Sequence, residues 1–319
     1  MWCCYVLLFS VLWIIVWFFR DRQTLSSFKD KYVFITGCDT GFGNMLAKRL
    51  DKKGFQVLAS CLTQKGVDNL QRASSPNLRT TLLDVTNSES IRKAVEWVRA
   101  EVGEKGLFGL VNNAGVAYPV GPTEWMNVED YRKVMAVNTF GVIEVTLAFL
   151  SLLKQARGRV VNTSSTCGRL STFGGGYCLS KYTVEAFSDS LRRDMYHFGV
   201  KVSIIEPGSF KTALTNPESV EASLQQLWDQ LSPKTRQSYG EDFFPKYLKI
   251  MKFVLNTCDP DLSKVTTCME HALQAKYPRS RYSAGWDAKF VWLPATYLPA
   301  FMVDIVLATI LPKPAHGVR

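Results

Sequence analysis

A tyrosine and a lysine four positions apart, Tyr177 and Lys181, form a pair whose types and spacing could do chemistry. On a helix, residues at this spacing lie on one face, one turn apart, so the lysine ammonium lies close to the phenol. A free phenol loses its proton near pH ~10, and a neighbouring positive charge lowers the pKa of the phenol by favouring the phenolate. The pair therefore predicts a group that accepts a proton near neutral pH. Such pairs also arise by chance, so the interpretation depends on the rest of the chain.

A glycine-rich turn near the start of the chain has the composition of a phosphate site. Residues 32–36 are an apolar run typical of a buried parallel strand, and residues 37–43 (GCDTGFG) lead from it into a helical stretch over 44–53. Glycines let the backbone approach a pyrophosphate, whose charge free N–H groups at a helix start would bind. The spacing differs from G-x-G-x-x-G, so an ordinary strand-to-helix turn is the alternative interpretation.

The end of the second predicted strand, residues 56–60, bears on the choice between the two nicotinamide dinucleotides. An acid at this position binds a ribose 2′-hydroxyl, whereas an arginine accommodates a 2′-phosphate. Ser60 and Cys61 occupy this end and supply neither group, and the glycine turn contains no basic residue. Because a 2′-phosphate would have no cationic partner, we expect NAD.

Further strands are predicted at residues 79–83, 108–111, 159–162 and 201–205, separated by helical patterns, one of them spanning 128–155. Six strands alternating with helices predict an α/β fold, a doubly wound parallel, Rossmann-like sheet in a single domain. Ligands of such sheets bind beyond the carboxyl ends of the strands. The polar or glycine-rich segments that follow strand ends begin at Gly37, Asp84, Asn112, Ser164 and Pro207. The separate motifs therefore converge on one predicted site.

Together these residues resemble the classical short-chain dehydrogenase/reductase family. Its T-G-x-x-x-G-x-G, N-N-A-G and Y-x-x-x-K motifs are matched by residues 36–43, 112–115 and 177–181. Asn138, inside the long helical pattern, matches a further catalytic position of the family. The family serine, thirteen positions before the tyrosine, falls on Ser164 rather than Ser165. The proline-glycine motif after the sixth strand is matched by residues 207–212.

The resemblance implies an enzyme that oxidises an alcohol with Asn138, Ser164, Tyr177 and Lys181 as catalytic residues. Tyr177, as phenolate, would take the hydroxyl proton while a hydride passes to the nicotinamide. Ser164 would stabilise the developing oxyanion, Lys181 would lower the pKa of Tyr177 and hold the nicotinamide ribose, and Asn138 would position a water that relays the proton outward. The implied cofactor-binding residues are Thr36, Gly37, Asp39, Thr40, Gly41, Phe42, Gly43, Ser60, Cys61, Asp84, Asn112, Ala114, Gly115, Tyr177, Lys181, Pro207, Gly208 and Thr212.

Other segments resemble the membrane-bound branch of retinol and 3α/17β-hydroxysteroid dehydrogenases. They are residues 106–110, 185–193 and 282–289, while residues 292–300 and 311–314 are most similar to the 11-cis-retinol dehydrogenases of that branch. The branch implies a small lipophilic substrate, retinol (11-cis or another isomer) or a hydroxysteroid, and residence in the endoplasmic reticulum membrane; a homodimer stays open. A non-catalytic lipid-binding protein on the same scaffold is the alternative from another class, against which the intact catalytic residues argue.

The N-terminal segment is predicted to be a membrane anchor. Residues 2–19 carry no charge, and a helix of that length reaches about 27 Å, close to the ~30 Å thickness of the bilayer hydrocarbon. Neither a basic leader nor a small-x-small cleavage site accompanies the segment, so residues 1–22 are expected to be retained. Basic residues follow it, and the positive-inside rule then favours a cytosolic catalytic domain. The rule fails for some single anchors, so both orientations stay open.

The remaining chain divides into a catalytic domain, residues 29–285, and an apolar tail, residues 286–319. Within the domain, residues 208–257 are long for a connection and predict a substrate lid. Leu224, Leu227, Trp228 and Leu231 form an apolar stripe there, which alternatively packs on the sheet. In the tail, prolines and an aspartate interrupt the apolar run 290–311, which favours a membrane-resting segment over a second span.

Charge and cysteine content exclude other classes of protein. The net charge is +10, but the basic residues are scattered rather than concentrated in one run, so nucleic acid is not an expected partner. The eight cysteines contain no CxxC pair and show no metal-ligand spacing with the three histidines. Neither a metal site nor a disulfide framework is therefore expected.

Overall fold

The sheet at the centre of the fold is built from short, buried strands. The computed structural model describes residues 2–317, without the side chains of residues 2–4, 7 and 8; the ends of the predicted anchor and tail, residues 1, 318 and 319, lie outside this description. The strands are β1 Tyr32–Ile35, β2 Gln56–Cys61, β3 Leu78–Leu82, β4 Gly109–Asn112, β5 Val120–Gly121, β6 Arg159–Thr163, β7 Gly174–Gly175, β8 Lys201–Pro207 and β9 Arg281–Ala284.

Seven of these strands form one parallel sheet in the order β3-β2-β1-β4-β6-β8-β9, and β5 pairs with β7 in a separate antiparallel ribbon. The order reverses between β1 and β4, where a doubly wound sheet opens a crevice at its carboxyl edge. The predicted parallel α/β fold is thus confirmed. The seventh strand, β9, was not predicted, because its sequence (RYSA) lacks the apolar run of the others. It pairs with the end of β8.

Helices cover both faces of the sheet. They are α1 Trp2–Asp21, α2 Gly41–Lys52, α3 Gln64–Arg72, α4 Ser88–Val102, α5 Val128–Met135, α6 Val142–Ala156, α7 Gly176–Asp194, α8 Pro217–Asp229, α9 Pro233–Tyr239, α10 Phe243–Asn256, α11 Ser263–Gln274, α12 Leu293–Ala295 and α13 Ala300–Ile310. One core packs α2 and α11 on one face of the sheet, and a second packs α4 and α6 on the other. Apolar residues of the strands contribute to both cores, as expected for a parallel sheet buried on both faces.

The long helical pattern over 128–155 is interrupted in the structure. A π-helical turn, Ala136–Gly141, separates α5 from α6 and contains Asn138. Such turns insert an extra residue into a helix and occur frequently at functional sites. The interruption turns Asn138 into the interior, where it is only 1% exposed.

The predicted lid segment, residues 208–257, folds into α8, α9 and α10. These helices enclose an aromatic cluster around Trp125, whose ring centroid lies 5.1 Å from that of Trp228 and 5.8 Å from that of Tyr247. Leu224, Leu227 and Trp228 of the apolar stripe are buried in this cluster. The stripe therefore packs beside the small β5–β7 ribbon and not on the main sheet.

Two helices expose apolar side chains to the surroundings. On α1 every described side chain from Val11 to Phe19 is exposed, and on α13 the same holds for Phe301, Ile305 and Ile310. The apolar run of the tail is broken, because the helical segment Ala288–Ala295 meets Ala300–Ile310 at an angle of 119°.

Candidate active site

The glycine turn presents free backbone N–H groups to a cavity of about 400 Å3 at the carboxyl edge of the sheet. Thr40 precedes α2, yet its side chain makes no capping hydrogen bond to the helix. Gly41, the first residue of α2, has φ +64°, a conformation that favours glycine. The first N–H groups of α2 are therefore open to the cavity, which fits the pyrophosphate of a dinucleotide.

The neighbouring motif residues hold the turn in shape. A Cβ on Gly37 would lie 2.7 Å from the Ala114 Cα, and one on Gly43 would lie 2.5 Å from the amide nitrogen of Asn113. Thr36 Oγ1 accepts hydrogen bonds from the backbone N–H groups of Asn113 and Ala114, both at 3.0 Å. Thr36 and Gly43 thus shape the site without lining the cavity. Asn113, the second asparagine of the N-N-A-G motif, donates to the Thr36 and Gly37 carbonyls.

The structure corrects the expectation for Ser60 and Cys61. Strand β2 runs one residue further than predicted, and both side chains are buried in it; the Ser60 hydroxyl donates to the Ile35 carbonyl at 3.2 Å. Leu62 and Thr63 line the cavity at this corner instead. Their placement follows from the strand length, since both residues lie just beyond its end.

An acid does occupy this corner, but it comes from the glycine turn. The Asp39 carboxylate accepts hydrogen bonds from the backbone N–H groups of Leu62 (2.8 Å) and Thr63 (3.0 Å). It thereby places a negative charge at the end of β2, where a ribose 2′-substituent is recognised in folds of this kind.

Most of the other predicted cofactor residues reach a cavity, but one does not. The predicted residues that line the 400 Å3 cavity are Gly37, Asp39, Thr40, Gly41, Phe42, Asp84, Ala114, Gly115 and Thr212. Asn112 is 3% exposed and its amide donates to Thr146 and to Asn162, both at 2.8 Å. It therefore ties β4 to β6 and corrects the expectation of cofactor contact.

An adjoining cavity of about 210 Å3 is lined by three of the four predicted catalytic residues, Ser164, Tyr177 and Lys181. It shares Phe42, Gly115 and Thr212 with the first cavity, and Pro207 and Gly208 lie in its wall. Its polar end is formed by Ser164, Ser165, Tyr177 and Lys181. Its apolar walls include Val120, Phe173, Leu214, Val220, Met251, Val254 and Leu255.

Tyr177 and Lys181 lie on one face of α7, as their spacing predicts. The Lys181 Nζ is 5.5 Å from the centre of the Tyr177 ring and donates to the Thr163 carbonyl at 2.8 Å. Burial raises the pKa of the Tyr177 phenol above its ordinary value, and the nearby Ser165 hydroxyl lowers it by less. Burial also lowers the pKa of Lys181 to about 8. Desolvation thus outweighs the proximity of the ammonium.

The serine that reaches Tyr177 is Ser165, which corrects the expectation for Ser164. The two residues follow β6 in extended backbone, so their side chains point in opposite directions. The Ser165 hydroxyl lies beside the Tyr177 phenol and lowers its pKa. The Ser164 hydroxyl instead turns toward α7, where it donates to the Lys181 carbonyl at 3.4 Å. Ser165 lies twelve positions before Tyr177, one fewer than the thirteen positions of the family motif.

Asn138 uses its whole side-chain amide on the protein. Its oxygen accepts from the Val116 N–H at 2.9 Å, and its nitrogen donates to the Val116 carbonyl at 2.8 Å and to the Ser180 hydroxyl at 3.1 Å. It is therefore not a solvent-facing helix residue. These bonds connect the loop after β4 to α7, next to the lysine.

A buried ionic network that the sequence analysis missed lies behind the serines. Glu185, one turn after Lys181, is 6% exposed, and burial together with the Glu206 carboxylate raises its pKa to about 7. Arg281 of β9 pairs with Glu185 at 3.0 Å, while Arg169 pairs with Glu206 at 3.0 Å. Strand β9, which was not predicted, thus supplies a positive charge that compensates the buried carboxylate of α7.

A comparison with protein families shows to which family the chain belongs. The profile described as short chain dehydrogenase matches residues 31–222, which contain both cavities' motif residues. The chain belongs to the short-chain dehydrogenase family. This confirms the resemblance drawn from the sequence, and with it the nicotinamide dinucleotide as the class of cofactor. The short-chain dehydrogenase fold also accounts for the strand order and for the position of the catalytic helix after β6.

Similar proteins and structures extend the family assignment. The chain is 57% identical over 314 residues to human "Retinol dehydrogenase 5", covering 98% of each chain, and 50% identical over 314 residues to human "17-beta-hydroxysteroid dehydrogenase type 6", covering 98% and 99%. A short-chain dehydrogenase structure from Streptomyces avermitilis matches with a TM-score of 0.68 at 26% identity, covering 88% of this chain and 95% of that one. The similarity to the two human enzymes therefore extends beyond the motifs to the whole chain.

Proposed function

We propose that this protein is a membrane-anchored, NAD-dependent retinol dehydrogenase that oxidises a lipophilic allylic or secondary alcohol. The observation that carries the proposal is the 210 Å3 cavity, whose apolar walls lead to the hydroxyls of Ser165 and Tyr177. A cavity of this kind suits a long apolar molecule with one polar end. The relatives named as retinol dehydrogenases support a retinoid, in the 11-cis or another isomeric form.

The catalytic residues act on the substrate hydroxyl. The oxidised nicotinamide ring, when bound, supplies the acceptor for the hydride of the carbinol carbon. Tyr177 accepts the hydroxyl proton as general base, and Ser165 donates a hydrogen bond to the developing oxyanion. Lys181, held against the Thr163 carbonyl, is placed to favour the phenolate and to bind a ribose hydroxyl. Asn138 acts as a positioning residue, because its amide is fully engaged by Val116 and Ser180.

The preference for NAD rests on Asp39. Its carboxylate lies at the end of β2, bonded to the Leu62 and Thr63 N–H groups. A ribose 2′-hydroxyl is a donor that this carboxylate can accept, whereas a 2′-phosphate is repelled by it. The site therefore favours NAD over NADP by charge.

The substrate reaches the cavity through the segment 208–257, which we propose is a lid. Val220 of α8 and Met251, Val254 and Leu255 of α10 line the cavity, while the aromatic cluster around Trp125 fixes these helices to each other. On the outer side of α10, Phe253 is 70% exposed. This apolar edge suits transfer of a lipophilic alcohol from a membrane.

Membrane anchoring is part of the proposal. The α1 helix exposes its apolar side chains along residues 9–19, and its length is adequate for a bilayer span. The exposed apolar side chains of α13 suit a segment that rests on the membrane. We infer that the membrane is that of the endoplasmic reticulum, as the resemblance to the membrane-bound branch implies.

A substrate panel tests the proposed function. The detergent-solubilised full chain is assayed for NADH formation with 11-cis-retinol, all-trans-retinol and an androstane 3α-ol, each with NAD and with NADP. The proposal predicts the highest kcat/KM for a retinol with NAD. Tyr177→Phe is the matched control, expected to lose turnover while retaining NAD binding in a fluorescence titration. Undiminished turnover of that variant would contradict the mechanism.

A hydroxysteroid dehydrogenase is the second candidate. The relative named 17-beta-hydroxysteroid dehydrogenase type 6, at 50% identity over almost the whole chain, favours it. The same panel separates the two candidates, because a higher kcat/KM for the steroid than for every retinol would assign the apolar cavity to a steroid.

A further inference from the structure

A cavity of about 720 Å3 lies where α1 meets the catalytic domain, and it shares no residue with the two active-site cavities. Its lining is strongly basic. Five cationic side chains, those of Arg20, Arg192, Lys201, Arg279 and Arg281, face one carboxylate, that of Asp21. We call it the basic cavity.

Arg192 pairs with Asp189 at 3.4 Å, and two further cations are likewise neutralised by the protein itself. Arg279 forms an ion pair with Asp21 of α1. Arg281 pairs with Glu185 and Asp189 on α7, both at 3.0 Å. Neither arginine therefore needs a further anion, and their role is to join α1 and β9 to the domain.

Two other cations have no acidic partner. Neither Arg20 nor Lys201 forms an ion pair with a carboxylate in residues 2–317, and the Lys201 ammonium donates only to the Lys276 carbonyl, at 2.7 Å. Burial, Arg159 and Arg20 together lower the pKa of Lys201, as expected when like charges face one another. Two uncompensated charges thus converge on one space.

The position of the basic cavity along α1 indicates how deep in a membrane the cavity would lie. Arg20 is the first charged residue after the apolar residues 2–19. Its guanidinium stacks over the Tyr277 ring at 4.4 Å, and that of Arg279 lies over the Trp17 ring at 4.9 Å. Tryptophan, tyrosine and arginine are the side chains that lie at the boundary between hydrocarbon and headgroups. If α1 spans the bilayer, which is part of the proposed function, the cavity opens at the level of the headgroups.

We propose that the basic cavity binds the phosphate group of an anionic glycerophospholipid headgroup. Arg20 and Lys201 neutralise its charge and donate hydrogen bonds to its oxygens. The aromatic rings beside Arg20 contact the glycerol region. An anionic headgroup is preferred over phosphatidylcholine, because the choline brings its own cation into a cavity that already carries unpaired positive charge. The bound lipid would join α1 to the domain and fix its orientation on the membrane.

The experiment titrates the full-length protein in detergent micelles with four probes: short-chain phosphatidylserine, short-chain phosphatidylcholine, glycerophosphate and inorganic phosphate. Binding is followed by the ligand-induced rise in melting temperature. The test variant is Arg20→Gln/Lys201→Gln. The matched control is Arg22→Gln/Lys29→Gln, which removes the same number of positive charges from the juxtamembrane stretch outside the cavity.

The proposal predicts that phosphatidylserine binds more tightly than the other three probes and that the test variant binds it about thirtyfold more weakly, from about fivefold per charge removed. The control variant should bind as the wild type does, and both variants should retain retinol turnover in micelles. An equal loss in both variants would assign the binding to diffuse surface charge and overturn the site. If inorganic phosphate binds as tightly as phosphatidylserine, the basic cavity is a site for free phosphate. If phosphatidylcholine binds as tightly, the proposed preference for an anionic headgroup is wrong.

A separate measurement tests whether α1 anchors the chain in a membrane. Alkaline carbonate extraction of membranes shows whether the wild-type chain is integral to them, whereas the micelle titration does not depend on the span. Release of the chain by carbonate would overturn the anchor while the titration still decides whether the basic cavity binds lipid phosphate.

Discussion

The hydroxyl of Ser165 lies beside the phenol of Tyr177 and lowers its pKa, while the adjacent Ser164 hydroxyl donates to the Lys181 carbonyl of the same helix at 3.4 Å. Consecutive residues in extended backbone point to opposite sides, so one of the two serines faces the substrate and the other faces the buried ionic network. The pair thus connects the reacting hydroxyls with the charges that hold α7 in place.

This geometry predicts different effects for two alanine substitutions. Ser165→Ala removes the donor to the developing oxyanion and should lower kcat by about a hundredfold to a thousandfold. Ser164→Ala, the matched control, removes only the hydrogen bond to the backbone carbonyl of Lys181 and should lower kcat by less than about tenfold. The rates are measured as NADH formation, with NAD affinity from a fluorescence titration to show that each variant is folded. The reverse order of effects would restore Ser164 as the catalytic serine.

The position of Asp39 predicts a change of cofactor preference. Asp39→Asn retains the size of the side chain and removes the charge that repels a 2′-phosphate, so the ratio of kcat/KM for NADP to that for NAD should rise about tenfold. Asp84→Asn is the matched control, since Asp84 lines the same cavity but bonds Thr86. A ratio that stays constant in Asp39→Asn, or that moves equally in both variants, would show that Asp39 does not face the 2′ position.

The strand ends could be predicted from the sequence because apolar runs and glycine turns are local signals. They gave the parallel sheet, the glycine turn and the Tyr177–Lys181 pair on one helix face. The choice between Ser164 and Ser165 was out of reach, because it depends on where β6 ends and therefore on strand pairing. The same holds for Ser60 and Cys61, which one additional residue of β2 buries.

Long-range contacts account for the other differences. The π-helical turn at Asn138 depends on bonds to Val116 and Ser180, which are distant in sequence. Strand β9 has no apolar run and forms only beside β8. The basic cavity draws on α1, α7, β8 and the segment before β9, so scattered charges in the sequence become one surface feature.

The apolar wall of the substrate cavity predicts a size effect. Met251→Trp places a larger side chain in the wall and should lower kcat/KM for a retinol by about tenfold or more, with little effect on prenol, a short allylic alcohol. Phe253→Trp, on the exposed side of the same helix, is the matched control and should leave both values unchanged. Equal losses for the long and the short alcohol in Met251→Trp would indicate that the substitution disturbs the fold rather than the apolar end of the cavity.

The buried carboxyl group of Glu185 predicts a pH dependence of stability. Burial raises its pKa from 4.5 to about 7, so between these pH values the folded chain retains a proton that the unfolded chain has lost. The contribution of Glu185 to the free energy of unfolding is therefore fully present below pH 4.5 and is lost as the pH rises through about 7.

Glu185→Gln cannot ionise, and Arg281 still pairs with Asp189 at 3.0 Å and with Glu206 at 3.5 Å. This variant should show a flatter profile than the wild type and exceed its stability above neutral pH. The measurement is thermal unfolding in detergent from about pH 5 to about pH 8, with the exposed Glu241→Gln as control; a Glu185→Gln profile parallel to that of the wild type would show that Glu185 is ionised throughout this range.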